Sequence, residues 1–426
     1  MELSGVSKTQ LANQASEKST NSPFSSRTLL SLPIDTNKLS ADYELKKMFG
    51  AQAVQIAGYG RATNSNSGPQ GRRIKKGKHA CILVHPRDGW PYEAPGLAMV
   101  LDVEAAGRTG QVSYFRFERS GLYKQVHEQY KMVVESMDPN ALAELVSRFP
   151  THVESLLQMS EVYRLMGELD RSAEFVERAL YVLECHWSPM FKPTSGQSRM
   201  SYDVIENRAM FIGLFRFQQL VVRKGLRRTG FEVSKLLLNL EPVKDPMGML
   251  LILDSYALGC SEYQFIIDLY DRFQPIDVRI LPNFAFSHAL ARYRIKRAEK
   301  PDKPGSSKSV SRNLVGSVDA NPSQILADKE IDALMVDAML TFPMVVPLML
   351  RQFSDQVDAS ITQLMESSTL FRLDPYEDQV RVLQLQTFAK IYAKLSKHGW
   401  SLHDENMTWF IRCAQQAMTL ASSNDA

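Results

Sequence analysis

The chain has 426 residues, more than one compact core usually spans, so an elongated array or two to three domains is expected. It is 44% apolar and 23% charged with a net charge of only +3, an ordinary soluble composition in which charge placement says more than the total. No run of 18 apolar residues occurs and no apolar core follows the first charges, so neither a membrane span nor a secretory signal is expected.

Residues 1–36 are rich in Ser, Asn, Thr and Lys and read as a disordered tail. Residues 37–121 form an N-terminal segment of mixed character. Leu39, Leu45 and Phe49 space a short amphipathic helix closed by Gly50. Residues 58–79 read as a basic Gly/Ser/Asn loop. Cys81–Val84, Leu97–Val103 and Val112–Phe117 read as short strands or extended pieces, punctuated by Pro86, Pro91, Pro95 and Gly110. Trp90-Pro91-Tyr92 is expected to fold back as a lid on the first helices, with a partner-binding hook as the alternative.

From Leu122 the period turns helical, and residues 122–299 read as tetratricopeptide-like repeats. In Val153–Glu184 a first helix carries Leu156, Met159 and Tyr163, Gly167 turns the chain, and a second helix packs Ser172, Phe175, Ala179 and Leu180. Large residues fill the groove between helices while small ones let the backbones approach. Turn glycines are expected at Gly167, Gly225 and Gly259, the last interval being 34 residues and the first 58, which places a 24-residue insertion near His186–Glu206. In the second unit Leu214, Phe217 and Val221 precede Gly225, and Leu237 and Leu240 lead to Pro242. Asn283-Phe284-Ala285-Phe286 is expected to open a helix and pack in the core.

Residues 300–322 read as a basic Ser/Pro linker. Residues 323–421 form a C-terminal helical region, with helices over Ser323–Phe342, Val345–Phe353, Asp378–Leu395 and Glu405–Ala421, and 422–426 a polar tail. In the third of these helices Val380, Leu383, Phe388, Ile391 and Leu395 form the expected buried stripe. The fold class is therefore mainly α, a tetratricopeptide-like α-α superhelix with a small extended or β N-terminal segment.

Enzyme motifs are absent. Gly58-Tyr-Gly60 lacks a preceding strand and a third glycine. His127-Glu128 begins like H-E-x-x-H, but Lys131 stands where the second ligand belongs. His79, Cys81 and His85 lack a second ligand pair for zinc. Cys185 and His186 are neighbours on a helix and point about 100° apart. Cys81, Cys185, Cys260 and Cys413 form no C-x-x-C, which fits a reducing compartment and thiols as small core residues. No catalytic, cofactor or metal residue is assigned.

Basic charge is clustered. Arg72, Arg73, Lys75, Lys76 and Lys78 stand within seven residues without an acid, and are the candidate ribosome- or partner-binding residues. Arg292–Arg312 holds eight basic residues against Glu299 and Asp302, and Arg223, Lys224, Arg227 and Arg228 form a third cluster. The alternative for each is a solvated loop or a localisation signal.

Several words occur in order along the chain: Lys38-Leu-Ser-Ala-Asp42, Phe49-Gly50, Pro95-Gly-Leu97, Val134-Glu-Ser-Met-Asp-Pro-Asn140 and His152-Val-Glu-Ser-Leu-Leu-Gln158. They continue with Val176-Glu-Arg-Ala-Leu-Tyr181, Glu206-Asn-Arg208, Leu240-Glu-Pro242, Asp245-Pro246 and Leu281-Pro-Asn-Phe-Ala-Phe-Ser287. Together they resemble the transcription factor 25 family, also called the ribosome quality control complex subunit 1 family. The likeness is strong over roughly residues 30–300 and weaker over 323–421. Family members usually begin with a longer acidic and lysine-rich region and extend past this C-terminus, so a truncated chain or a short form is expected.

The resemblance implies a non-enzymatic scaffold of the ribosome-associated quality control complex, without cofactors. Its implied partners are the large ribosomal subunit carrying a stalled nascent chain, a listerin-type E3 ubiquitin ligase, ubiquitin, and an AAA ATPase of the valosin-containing-protein type. Contact with ribosomal RNA is a further possibility, and no membrane partner is implied. The second strand of family description is a nuclear transcriptional repressor with DNA association. Cytoplasm and nucleus both stay open, and no helix-turn-helix, zinc-finger or basic-zipper pattern is visible.

Overall fold

A computed structural model describes residues 31–50, 52, 81–87, 89–106, 112–299, 328–368, 370–371 and 380–424. The basic segment 72–78, the expected tail over 1–30, the linker from 300 to 322 and the Gly58-Tyr-Gly60 motif lie outside the described residues. Among the described residues the chain is mainly α-helical with one small sheet.

The sheet has the order β1-β2-β3. Strand β1 (Leu97–Leu101) pairs antiparallel with β2 (Ser113–Arg119), Leu97 opposite Arg119 and Leu101 opposite Phe115. Strand β3 (Ser198–Met200) runs parallel to β2, so the insertion after residue 185 completes the sheet. Phe115 and Phe117 point inward and Arg116 outward, the alternation that a half-buried strand requires. Gly96, with φ of +93°, lets the chain pass against the Ser120 carbonyl, which a Cβ there would strike. The Cys81–Val84 stretch is not a strand: its Ile82 and Leu83 amides bond the Glu184 carboxylate instead of a β ladder.

Helices α1 (Ala41–Phe49) and α2 (Val103–Ala106) flank this segment. Then come α3 (Gly121–Ser136), α4 (Pro139–Arg148), α5 (Val153–Leu165), α6 (Leu169–Cys185), α7 (Arg208–Arg223) and α8 (Arg227–Leu240). Each of α4 to α8 packs on the helix before it, and α5 also meets α7, which stacks the hairpins side by side. Local chemistry starts the helices: Asp138 caps α4 with Pro139 at its first turn, and the His152 ring accepts from the Ser155 amide at the start of α5. Leu156, Met159, Ala179, Leu180, Leu214, Phe217, Val221, Leu237 and Leu240 are buried, as their spacing requires.

The α5–α6 and α7–α8 turns are the same motif. Gly167 (φ +82°) and Gly225 (φ +83°) take the left-handed conformation, each amide bonding three residues back and the next amide five residues back. The third such turn, between α9 (Leu253–Gly259) and α10 (Tyr263–Arg272), sits on Ser261 (φ +59°), not Gly259. Gly259 ends α9, and the 34-residue interval is not a turn interval. A Cβ at Gly259 would lie 3.2 Å from the His398 ring, so this glycine serves a close approach.

The array continues through α11 (Pro282–Glu299) and α12 (Asp328–Thr341), then α13 (Val345–Gln352) and α14 (Ala359–Ser367), the last capped by Asp358 and unforeseen from the sequence. Helix α15 (Val380–Trp400) returns to pack on α9, α11 and α13, and α16 (Glu405–Asn424) packs on α12. The expected α15 stripe is corrected. Leu383 and Leu395 are exposed, and the buried face is Ala389, Tyr392, Ala393, Ser396 and Trp400. Helix α16 also runs on through Asn424, into the stretch read as a tail.

The N-terminal segment straps α8. Asn239 bonds both the amide and the carbonyl of Leu32 at 2.8 Å, Lys235 donates to the Pro33 carbonyl, and Glu232 accepts from the Asp35 amide. Leu32 and Leu39 fill apolar pockets, so every residue from Thr229 to Leu240 is buried. Phe49, expected on the packed side of α1, is 63% exposed.

Candidate partner-binding surface

The candidate residues Arg72, Arg73, Lys75, Lys76 and Lys78 lie outside the described residues, so the structure brings none of them to a site. Two other basic clusters are visible and behave differently. On α11, Arg292 pairs with Asp271 at 3.0 Å, Arg294 with Glu405 at 2.9 Å, and Arg297 lies over Tyr293. These cations clamp α11 to α10 and α16, a structural use.

The α7–α8 turn is more open. Arg228 pairs with Glu262 and donates to the Cys260 carbonyl at 3.2 Å, and Lys224 lies 3.9 Å from Glu177. Arg223 is exposed, and Arg227 lies partly exposed beside His398 across Gly259. Helix α1 is anchored to the same turn because the Glu44 carboxylate accepts from the Arg228 and Thr229 amides at 3.1 and 2.8 Å. This carboxylate caps α8 from another segment, where a helix N-terminus favours negative charge. The anchor fixes which way α1 faces. Ala41 and Leu45 pack inward, leaving Tyr43, Lys46 and Lys47 outward, one helical turn apart.

Three buried polar clusters were invisible in the sequence. At the start of α5, Glu154 accepts from Arg119 and from the Tyr123 hydroxyl, both at 2.7 Å. His152 Nε2 is 3.4 Å from both Glu154 Oε2 and His127 Nδ1. Burial works against ionising Glu154, yet His152, Arg119 and the Tyr123 bond hold its carboxyl below the usual range. Burial pushes His152 down to about 4, so it is neutral at pH 7. His127, His152 and Glu154 have donor atoms close enough for a small cation. However, Arg119 bonds Glu154 and lies 3.1 Å from His127 Nε2, and the α5 N-terminus adds positive potential. The cluster is a closed hydrogen-bonded network.

Glu184, pushed up to about 7 by burial against the opposing pull of the Ile82, Leu83 and Val84 amides, pins the Cys81–Val84 stretch to α6. Cys81 thereby comes beside Cys185, and the neighbouring Cys81 and Tyr181 groups hold the Cys185 thiol below its usual range. His186 instead bonds the Val182 carbonyl and the Ala94 amide, so it does not pair with Cys185. Trp90 packs 6.2 Å from Tyr181 in the lid arrangement, with Tyr92 exposed. In the third cluster Asp254 accepts from Asn283 at 2.8 Å and Ser287 at 2.6 Å, and Trp400 donates to the Tyr392 hydroxyl at 2.9 Å.

The words of the family resemblance coincide with such joints. Asn207 bonds the Phe117 amide and the Phe115 and Ser201 carbonyls, tying β2 to the start of α7. Glu241 accepts from the Tyr202 amide, and Asp245 from the Met249 and Leu250 amides.

Residues 115–426 match the family described as "Transcriptional repressor TCF25". The chain is 34% identical to the human "Ribosome quality control complex subunit TCF25" over 80% of its own length and 46% of the relative. It is 29% identical to "Ribosome quality control complex subunit 1" of Schizosaccharomyces pombe over 62% of its length and 38% of the relative. It is 27% identical to "Probable transcription factor claV" of Ampulloclitocybe clavipes over 89% and 48% respectively. The chain thus spans half or less of the length of these curated relatives. None of these names describes an enzymatic activity, and no solved structure matches. A mainly helical chain whose distinctive words sit at its structural joints, matched over most of its length, belongs to the TCF25 family.

Proposed function

We propose that the chain is a non-enzymatic scaffold of the ribosome-associated quality control machinery. It holds large ribosomal subunits that carry stalled nascent chains and supports degradative ubiquitination by a listerin-type ligase. The observation that carries this reading is the match over 80% of the chain to a relative named as a subunit of that complex. The stacked helices support it, since such arrays offer long surfaces that hold partners without transforming them. Ubiquitin and an AAA ATPase of the valosin-containing-protein type follow as partners, and the cytoplasm as the place of action. The segment Arg72, Arg73, Lys75, Lys76 and Lys78 contributes attraction to ribosomal RNA or to an acidic partner.

Affinity purification of the full chain after translational stalling recovers large subunits and the ligase on this reading; recovery of neither overturns it. Replacing Arg72, Arg73, Lys75 and Lys76 by Ala weakens that association and flattens its salt dependence. A nuclear repressor is the second reading, favoured by the words "Transcriptional repressor" and "Probable transcription factor" among the relatives. Preference for one duplex sequence over scrambled DNA at physiological salt would select it.

A further inference from the structure

We propose that α1 and the α7–α8 turn form a binding surface for single-stranded RNA, in which Tyr43 stacks on a base and Lys46, Lys47, Arg223 and Arg227 meet the phosphates. That the nucleic acid is RNA rests on the proposed function; the phosphate and base chemistry does not.

The surface is built by one contact. The Glu44 carboxylate, spent on the Arg228 and Thr229 amides, holds α1 across the N-terminus of α8. It turns Tyr43, 48% exposed, and the exposed Lys46 and Lys47 to solvent. An aromatic ring flanked by two ammonium groups one helical turn away suits a nucleotide, since the ring takes the base face and the ammonium groups the adjoining phosphates.

The turn beside it supplies Arg223 and Arg227, which, like Lys46 and Lys47, make no ion pair among the described residues. Of the acids nearby, Glu262 is engaged with Arg228, Glu177 with Lys224 and Arg87, and Glu44 with backbone amides, while Asp42 on α1 is half-buried, acts on Glu177 and stands one turn from Lys46. An acidic peptide would use the cations but leave the exposed rings of Tyr43 and Phe49 idle, so the observations favour a nucleic acid. Helix α1 also ends at Gly50, and the same strand of chain continues to Arg72–Lys78.

The test is fluorescence anisotropy of a labelled twelve-nucleotide oligouridine with the full chain between 50 and 200 mM salt. Binding is expected with a log–log salt slope of about −3, four contacts at about −0.7 each. Tyr43→Ala weakens binding about tenfold or more with the slope unchanged, and Tyr43→Phe restores it. The fourfold change of Lys46, Lys47, Arg223 and Arg227 to Ala flattens the slope towards zero.

All five positions are at least partly exposed, and unchanged thermal melting of each variant separates lost binding from lost folding. Absence of oligouridine binding overturns the proposal, as does binding untouched by either variant, which would move the contact to Arg72–Lys78. Equal or tighter binding of polyglutamate overturns it in favour of an acidic partner. Equal binding of oligothymidine keeps the surface and removes only its restriction to RNA. Recovery of large subunits without oligouridine binding defeats this surface alone, whereas oligouridine binding without large subunits defeats the proposed function alone.

Discussion

The hairpins from Val153 to Leu240 and the helices that close the C-terminal end are held by different means. In the first region each helix packs on its predecessor, and glycine turns set the reversals. In the second, α15 crosses back over α9 and α11, more than 80 residues earlier in the chain. The crossing rests on buried polar contacts and on two glycines, Gly259 and Gly399, where the helices touch. The comparison teaches that a stacked array can be built from local rules, while its closure needs long-range complementarity.

The largest test of the closure is Trp400→Ala. Trp400 is fully buried against Phe410 and donates to Tyr392, so its loss opens a cavity and leaves that hydroxyl one donor short. A loss of about 3–5 kcal/mol is expected by urea unfolding. A change below about 1 kcal/mol would show that α15 is not the clasp.

The second test is pH, because a buried histidine of the first region and a buried acid of the second shift in opposite directions. His152, facing Glu154, His127 and Arg119, has its folded value at about 4, below the 6.5 of an unfolded histidine. Protonation therefore favours unfolding: its contribution is present above pH 6.5 and is lost as pH falls towards about 4, on the order of 3 kcal/mol in all. Asp254, beside Asn283, Ser287 and Tyr392, is raised from 3.8 to about 6. Its contribution is present below pH 3.8 and is lost as pH rises through about 6. Over the same window His152→Asn, which keeps a capping acceptor, flattens the loss on acidification, and Asp254→Asn flattens the opposing trend. Stability-versus-pH curves unaltered by either change would contradict the burial of these groups.

The next effect is smaller. A Cβ at Gly399 would lie 2.6 Å from Leu258 Cβ, with helix backbone on both sides, so Gly399→Ala must spread α15 from α9. A loss of about 1–3 kcal/mol is expected by thermal melting.

Much of the first region was legible in the sequence for the reason that this comparison exposes. Helical spacing and a turn glycine are local signals, so α5, Gly167 and α6 could be read within a few residues of their ends. The buried face of α15 could not, because Leu383 and Leu395 satisfy the helical period equally well, and only the position of α9 and α11 selects Tyr392 and Trp400. Gly259 was misread because a glycine carries the same letter whether it turns the chain or admits a neighbouring helix. At the candidate surface, the Arg223–Arg228 cluster was legible as charge. Which of its cations Glu262 and Glu177 engage depends on pairs that close only in space. Tyr43 was overlooked because the Glu44 anchor, which decides the facing of α1, joins residues more than 180 positions apart.

The finest test sits in the turns themselves. Gly167 and Ser261 occupy the same left-handed position in the same hydrogen-bonded motif, and nothing lies within 4 Å of a Cβ at Gly167. A side chain there meets only backbone strain, so Gly167→Val should cost about 1–2 kcal/mol. Ser261→Gly removes the corresponding strain but adds freedom to the unfolded chain. The two terms nearly cancel, leaving a gain of at most about 1 kcal/mol. If melting instead falls with Ser261→Gly, then the Ser261 side chain is engaged at the surface, and the third turn is not a glycine turn with its glycine missing.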